Sequence, residues 1–396
     1  MKKIFILVFS TVLFIANAQN FRRIDQKMMQ FQSTFDENAI ADVVSFINNN
    51  FSTETDKLRA VFVWITENFE YDVGGTFNIE LYTVEQEIIN SMLRNRKGVC
   101  LHYVHLFAKI ANELGIKTYI AVGITRQNNT VNNEPHAWNV SLVDSVWRLI
   151  DPTWGAGFRQ NRIFVQQRND FFFKTAPEEL IQSHYPFDPM WQLLNHPVSA
   201  QNFIAGRTEI NRRRTFFDFE SKLKTHANAT RLEQLIAANY RIIGRGRLNS
   251  RFALDYVIRN TLEIQLIRDN IAISTYNSAV DLFNKAVECL NEFIFLRNNL
   301  FFPRRTEYEI RELMTNASQL LQEAQNELQN INTSNMELIN LIMQLRRNIN
   351  NTRAQVAEQN TFIDLYFNTE REYRRSLFFE KTTENTVRRA LFLEIR

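Results

Sequence analysis

Apolar residues in the first half of the chain recur at helical spacing in three stretches. Residues 36–70 contain two of them, divided at Asn48-Asn49-Asn50, and this pattern predicts two helices. A third helix is predicted from Cys100 to Leu114, where Gly115 is a typical residue to end it. The next segments, Thr118–Thr125, His136–Val143 and Val146–Ile150, are rich in β-branched and aromatic residues and predict strands.

A two-residue gap, Asp144-Ser145, separates the last two predicted strands and has the length of a tight hairpin turn. Such a turn places Trp138 opposite Asp151, so that His136 and Asp151 are diagonal neighbours on one face. Their backbone positions are then about 7–8 Å apart, which an imidazole and a carboxylate can bridge. The first half is therefore predicted to be α+β, with helices packed on an antiparallel sheet and a histidine–aspartate pair on it.

The character of the chain changes after about residue 205, where proline nearly disappears and apolar residues keep a helical spacing. Two long helices are predicted, Asn249–Asn298 and Thr306–Phe367, divided by the Phe301-Phe302-Pro303 turn. Within the second, an approximate heptad predicts an antiparallel helical hairpin or a coiled coil. The heptad consists of Ile310, Leu313, Ala317, Leu320, Ala324, Ile331, Leu338, Leu341 and Leu345.

These changes predict a signal peptide at residues 1–18, a first domain at 19–205 and a helical domain at 206–396. The helical domain is expected to be a spacer, or else an arm that binds a protein partner or a second copy of the chain. Lys2 and Lys3 precede an apolar run, Ile4–Ile15, that closes on Ala16-Asn17-Ala18, which is the layout of a cleavable secretory signal. An uncleaved N-terminal anchor is the alternative. The mature chain is expected in the periplasm or outside the cell, without stable membrane insertion.

Charge and cysteine content narrow the classes of function. The chain has 46 Lys and Arg against 43 Asp and Glu, which gives no electrostatic reason to expect a nucleic-acid partner. Its two cysteines, Cys100 and Cys289, cannot supply a disulfide framework. Cys289 lies among apolar helix positions and is predicted to be a packed thiol. Cys100 opens a helix, where the dipole favours a thiolate; taken alone, a small buried residue is the preferred interpretation of this cysteine.

Three short segments carry the candidate chemistry: Arg96-Lys97-Gly98-Val99-Cys100, His136-Ala137-Trp138-Asn139 and Leu149-Ile150-Asp151-Pro152-Thr153-Trp154. In order and spacing they resemble the nucleophile, histidine and aspartate motifs of the transglutaminase-like superfamily, including its bacterial and kyphoscoliosis-peptidase-like members. Lys57–Asp72 and Phe171–Phe203 extend the resemblance to about residues 50–203. The resemblance implies a papain-like fold in the first domain.

The same resemblance implies a catalytic triad of Cys100 as nucleophile, His136 as general base and Asp151 as its orienting partner. The implied enzyme is an exported thiol peptidase or amidase that acts on protein or peptide substrates and needs no cofactor. With a lysine amine as acceptor instead of water, it would be a protein-glutamine γ-glutamyltransferase. A catalytically silent protein-binding module with a helical arm is the alternative outside the enzymes.

Residues around the triad leave further choices open. Leu101-His102 departs from the family pattern directly after the nucleophile, which leaves the substrate contacts undefined. Trp138 and Trp154 flank the hairpin either as pocket walls or as core, with core expected for one of them. Cys100, His102 and His105 have helical spacing for a metal site but lack an evident fourth ligand. The backbone amide of Cys100 is a candidate oxyanion donor.

Overall fold

The computed structural model describes residues 21–74, 84–244 and 251–379. The predicted signal peptide lies outside these ranges. The chain divides into two compact units, residues 1–262 and 263–396. Among the described helices, none has both the length and the apolar character needed to cross a bilayer.

The first unit begins with five helices around one apolar cluster. They are α1 (residues 21–30), α2 (Ala39–Asn50), α3 (Glu54–Asn68), α4 (Glu85–Asn95) and α5 (Cys100–Glu113). Thr53 caps α3 by accepting a hydrogen bond from the Asp56 amide, so the predicted break between the first two helices is confirmed. The third predicted helix, α5, ends just before Gly115, whose φ of 81° is left-handed.

An antiparallel sheet of four strands packs against α5 in the order β5-β4-β3-β8. Two smaller pairs, β1 with β2 and β6 with β7, flank it. The strands are β1 (Glu70–Tyr71), β2 (Lys97–Gly98), β3 (Thr118–Gln127), β4 (Thr130–Val143), β5 (Val146–Ile150), β6 (Gly157–Gln160), β7 (Ile163–Gln166) and β8 (His184–Pro186). The α+β prediction is confirmed, with β4 beginning earlier than expected, because Asn128 and Asn129 adopt left-handed φ angles and form a second tight turn.

The hairpin between β4 and β5 has the predicted register. Asp144 and Ser145 both have positive φ, as a two-residue turn of this type requires. Asn139 pairs with Ile150, and Val143 pairs with Val146. This register turns His136 and Asp151 to the same face of the sheet.

The division between the units falls 57 residues later than the boundary expected at residue 205. Short helices α6 (Pro152–Ala156), α7 (Pro177–Leu180) and α8 (Ala200–Ile204) precede α9 (Phe219–Asn228) and α10 (Arg231–Ile243). Leu223 of α9 is buried in the cluster that contains Trp191, and Ile242 of α10 is buried in the cluster that contains Phe203. The composition changes near residue 205, but the packing of the first unit continues through these helices.

The second unit is built from long helices. They are α11 (Arg251–Asn298), which begins before the boundary, α12 (Glu307–Gln329) and α13 (Met336–Asn368). The prediction of one helix from Thr306 to Phe367 is wrong, because α12 ends at Gln329 and a new helix begins at Met336. The Asn335 side chain caps α13 by accepting hydrogen bonds from the Glu337 and Leu338 amides.

Helices α12 and α13 run antiparallel to each other, within a stretch that the sequence predicted as one helix. Arg311 bonds Asp364 at one end of the pair, and Arg353 bonds Gln322 nearer the other. The buried face of α12 consists of Ile310, Met314, Ala317, Leu321, Ala324 and Leu328. It is rotated from the predicted heptad, so that Leu313 and Leu320 are only partly buried. Cys289 packs against this cluster, as predicted, and burial raises the pKa of its thiol.

Candidate active site

Cys100 is the first residue of α5 and is partly exposed. The amides at the start of a helix have no hydrogen-bond partner within the helix. Here the amide of Val99, the N-cap residue, donates to Nδ1 of His102 at 3.2 Å. The chain is close-packed here, since a Cβ on Gly98 would lie 2.7 Å from both His102 and Met92. The imidazole of His102 therefore holds the turn that presents Cys100.

His136 and Asp151 meet as the hairpin register predicts. Nε2 of His136 lies 2.7 Å from Oδ2 of Asp151. The other carboxylate oxygen, Oδ1, accepts from the amides of Thr153 at 2.8 Å and Trp154 at 3.0 Å. Asp151 is thus the N-cap of α6 and is fully buried, while His136 is 8% exposed. A buried carboxylate with this many donors is held in one orientation.

Cys100 lies close enough to His136 to contribute to the raised pKa of that imidazole. Because Nε2 of His136 faces Asp151, Nδ1 is the nitrogen left for the thiol. Burial acts to lower the pKa of His136, but the charge of Asp151, the hydrogen bond that His136 donates to it, and the interaction with Cys100 outweigh burial and raise this pKa to about 10. Burial acts to raise the pKa of Asp151, but His136 and a second histidine hold it well below its usual range. The pair is therefore imidazolium and carboxylate at neutral pH.

The second histidine is His184 on β8, a contact that the sequence analysis missed. Its Nε2 lies 3.0 Å from the same oxygen, Oδ2 of Asp151, and its Nδ1 lies 2.7 Å from the Ser183 hydroxyl. The signal was weak, because His184 stands 33 residues after Asp151 and reaches the site only through pairing of β8 with β3. The available cue was its place within Phe171–Phe203, the segment over which the family resemblance extends.

Asn139 on β4 connects the sheet by a hydrogen bond to α5, the helix that begins with Cys100. Its side-chain amide donates to the Val104 carbonyl of α5 at 3.0 Å. Residues 42–152, which include Cys100, His136 and Asp151, match the family model described as Transglutaminase-like superfamily. This chain carries a transglutaminase-like domain. The resemblance noted in the sequence is thereby confirmed.

Curated relatives share this domain over part of their length. Kyphoscoliosis peptidase of Homo sapiens is 26% identical over 193 residues, which are 47% of this chain and 28% of the relative. Cytokinesis protein 3 of Saccharomyces cerevisiae is 31% identical over 146 residues, which are 34% of this chain and 16% of the relative. This chain spans about a quarter of the length of the kyphoscoliosis peptidases it matches. A solved structure described as a TGase is 19% identical, covers 40% of this chain and 41% of its own, and has a TM-score of 0.26.

A cleft of about 860 Å³ opens beside His136 in the transglutaminase-like domain. Trp154 and Tyr71 line it, together with polar residues such as Glu134. Trp138 is 1% exposed and belongs to an apolar cluster, so it lies in the core, whereas Trp154 lines the cleft. Burial, then the negative charge of Cys100, raises the pKa of Tyr71, which keeps its hydroxyl protonated near the candidate nucleophile.

Metal ligation at Cys100, His102 and His105 finds no support in the geometry. His102 turns its Nδ1 to the Val99 amide, whereas Nδ1 of His105 lies 3.4 Å from a Glu85 oxygen. Within the described ranges, one group of three metal-ligating side chains converges within 4.8 Å: His136, Asp151 and His184. The atoms of this group are those that form the hydrogen bonds described above.

Proposed function

We propose that this chain is a cysteine acyl-transfer enzyme that hydrolyses protein or peptide amides through Cys100, His136 and Asp151. The observation that carries the proposal is the position of His136, whose Nε2 lies 2.7 Å from the Asp151 carboxylate and whose raised pKa has Cys100 among its causes. A nucleophile, a base and an orienting carboxylate in this order are the arrangement that activates a thiol.

In the proposed first step, the Cys100 thiolate attacks the carbonyl carbon of the amide. The carbonyl oxygen becomes an oxyanion, for which the Cys100 amide at the start of α5 and the Tyr71 hydroxyl are the candidate donors. The tetrahedral intermediate then collapses and breaks the carbon–nitrogen bond. His136, as imidazolium, gives its proton to the leaving amine. The product is a thioester on Cys100 and a free amine.

In the second step, water attacks the thioester carbonyl while neutral His136 removes a proton from it. The carbon–sulfur bond breaks, which releases a carboxylic acid and returns the thiolate and imidazolium. Asp151 stays ionised throughout and keeps Nε2 of His136 protonated, so that Nδ1 faces the thiol. Water is the proposed acceptor because the cleft beside His136 has polar walls, with Gln127, Asn132 and Asn169 among its lining residues. A lysine amine in place of water would give a cross-linking enzyme.

The test uses the chain from Gln19 with fluorescein-labelled casein, with and without the amine monodansylcadaverine. We expect new casein amino termini without added amine, loss of cleavage in Cys100→Ser, and unchanged cleavage in the matched control Cys289→Ser. Amine incorporation without cleavage would overturn hydrolysis and favour cross-linking. If neither reaction occurs and Cys100 is alkylated no faster than Cys289 after correction for exposure, the protein is a silent binding module.

We also propose that the enzyme is exported after removal of residues 1–18. The support is the order of Lys2-Lys3, the apolar run and Ala16-Asn17-Ala18. Amino-terminal sequencing of the protein recovered from its native host tests this proposal. We expect Gln19 as the first residue, and a retained Met1 would favour the uncleaved anchor.

A further inference from the structure

Asp151 accepts hydrogen bonds from two histidines on a single oxygen atom. Its Oδ2 lies 2.7 Å from Nε2 of His136 and 3.0 Å from Nε2 of His184. Beyond His184, the Ser183 hydroxyl lies 2.7 Å from Nδ1. The proposed triad explains His136 but gives no role to Ser183 or His184, although His184 is 1% exposed.

The directions of these hydrogen bonds follow from the charge of Asp151. An ionised carboxylate can only accept, so Nε2 of His184 must carry the proton. A neutral imidazole then has a lone pair on Nδ1. The Ser183 hydroxyl donates to it at 2.7 Å in preference to the Leu180 carbonyl oxygen, which is farther away at 3.3 Å. Burial lowers the pKa of His184, and the adjacent His136 charge lowers it further although Asp151 acts in the opposite direction. Two imidazoles on one oxygen thus differ in charge, His136 being cationic and His184 neutral.

Aromatic side chains enclose His184. Its ring packs against Trp154 at 4.6 Å, Trp138 at 5.1 Å and Phe172 at 5.9 Å between centroids. Strand β8 can approach this closely because β3 carries a glycine, where a Cβ on Gly123 would lie 2.0 Å from the Tyr185 carbonyl oxygen. Because the aromatic rings exclude water, no solvent molecule can readily take the place of His184 as hydrogen-bond donor to Asp151.

We propose that His184, oriented by Ser183, is a positioning residue that fixes Oδ2 of Asp151 against His136. Two backbone amides hold the other oxygen, so His184 supplies the remaining constraint on the carboxylate. Without it, Asp151 can turn about its side-chain bonds or admit water, and the His136 ring loses its fixed direction toward Cys100. This inference rests on the proposed function, because it assigns His184 a task in the same centre.

The test compares variants of the full chain by their Cys100 alkylation rate with iodoacetamide at neutral pH. His184→Leu removes the donor with similar volume, whereas His184→Gln keeps a neutral N–H donor. Ser183→Ala removes only the group that orients the ring. His226→Leu is the matched control, because this ring also packs against aromatic residues, Tyr119 at 4.9 Å and Trp191 at 5.1 Å, outside the site.

We expect His184→Leu to slow alkylation by about tenfold or more, and His184→Gln to restore the rate to within a few-fold. Nitrogen-15 NMR should show His184 as the neutral Nε2–H tautomer, with a mixture of tautomers in Ser183→Ala. A folded His184→Leu variant with the wild-type rate would overturn the proposal, and so would a His184→Gln variant as slow as His184→Leu.

If His184→Leu does not fold, the proposal is tested by the His184 tautomer seen by NMR and by the Cys100 alkylation rates of His184→Gln and Ser183→Ala. A charged His184, or the Nδ1–H tautomer, contradicts the proposal. Stoichiometric zinc that a chelator removes would also contradict it, because His136, Asp151 and His184 would then be metal ligands. The NMR result does not depend on Cys100 reactivity, so failure of the proposed function remains a separate outcome.

Discussion

Nε2 of His136 lies 2.7 Å from Oδ2 of Asp151 because a two-residue turn at Asp144-Ser145 sets the register of their strands. A shift of one residue in that register would turn one of the two side chains to the other face of the sheet. The Asp151 carboxylate also caps α6, so that its place is fixed by the backbone on one side and by imidazoles on the other. The predictions below follow from this arrangement.

Asp151→Asn should lower the rate of amide hydrolysis by about 10⁴-fold, the size of the effect for the corresponding change in serine triads. An amide can present its N–H group to Nε2 of His136, which favours the wrong tautomer. The amide oxygen can still accept from the Thr153 and Trp154 amides, so the fold should survive. Casein cleavage and a thermal melt measure both effects. Activity within a few-fold of wild type would remove Asp151 from the triad.

The free energy of unfolding should decrease as the pH rises from about 6.5 to 10. The pKa of His136 is raised to about 10 in the folded protein and is about 6.5 in an unfolded chain. In this window the folded state binds a proton that the unfolded state has lost, so stability falls as pH rises. Below about 6.5 the contribution is complete. Urea unfolding at several pH values measures the slope, and His136→Gln should flatten it.

Tyr71→Phe should reduce hydrolysis by about 10²-fold, the typical loss when one oxyanion donor is removed. The phenol lines the cleft, and burial together with the Cys100 charge keeps it protonated. The expected change is in kcat more than in KM, because the donor acts on charge that develops in the transition state. Steady-state kinetics on a casein-derived peptide test this. A second variant, Tyr71→Ala, removes the ring as well. An equal loss of kcat in the two variants would assign the effect to the hydroxyl rather than to the ring.

Arg59→Ala should destabilise the first unit by about 3 kcal/mol, because it removes the buried guanidinium paired with the buried Asp25 carboxylate and leaves that carboxylate with Arg168 as its partner. The Arg59 side chain is 1% exposed and lies 2.7 Å from Asp25 and 2.8 Å from Asp170. Its matched control is Arg311→Ala on exposed α12, which also has two acidic partners within 2.8 Å but should cost about 0–1 kcal/mol. Urea unfolding measures both. Equal losses would show that burial is not what distinguishes Arg59.

Local pattern predicted those parts of the site that neighbouring residues determine. The turn at Asp144-Ser145 sets the register of β4 and β5, so the sequence sufficed to place His136 beside Asp151. His184 joins them through pairing of β8 with β3, and no local rule brings a later edge strand to that position. The end of α12 at Gln329 was also missed, because Ile331 and Leu338 continue the approximate heptad across it, although the asparagine, threonine and serine residues there favour caps and turns.

The first domain should not be stable when the chain ends at Ala205, although its composition suggests that boundary. Such a chain lacks Leu223, which is buried beside Trp191, and lacks Arg241, which bonds the buried Asp188 carboxylate at 2.7 Å. Exposure of these surfaces costs both apolar burial and a buried ion pair. A chain ending at Leu262 keeps both contacts and matches the compact unit. We therefore expect residues 19–262 to melt cooperatively and to retain rapid Cys100 alkylation, while residues 19–205 aggregate or melt without cooperativity. Equal behaviour of the two chains would restore the boundary at residue 205.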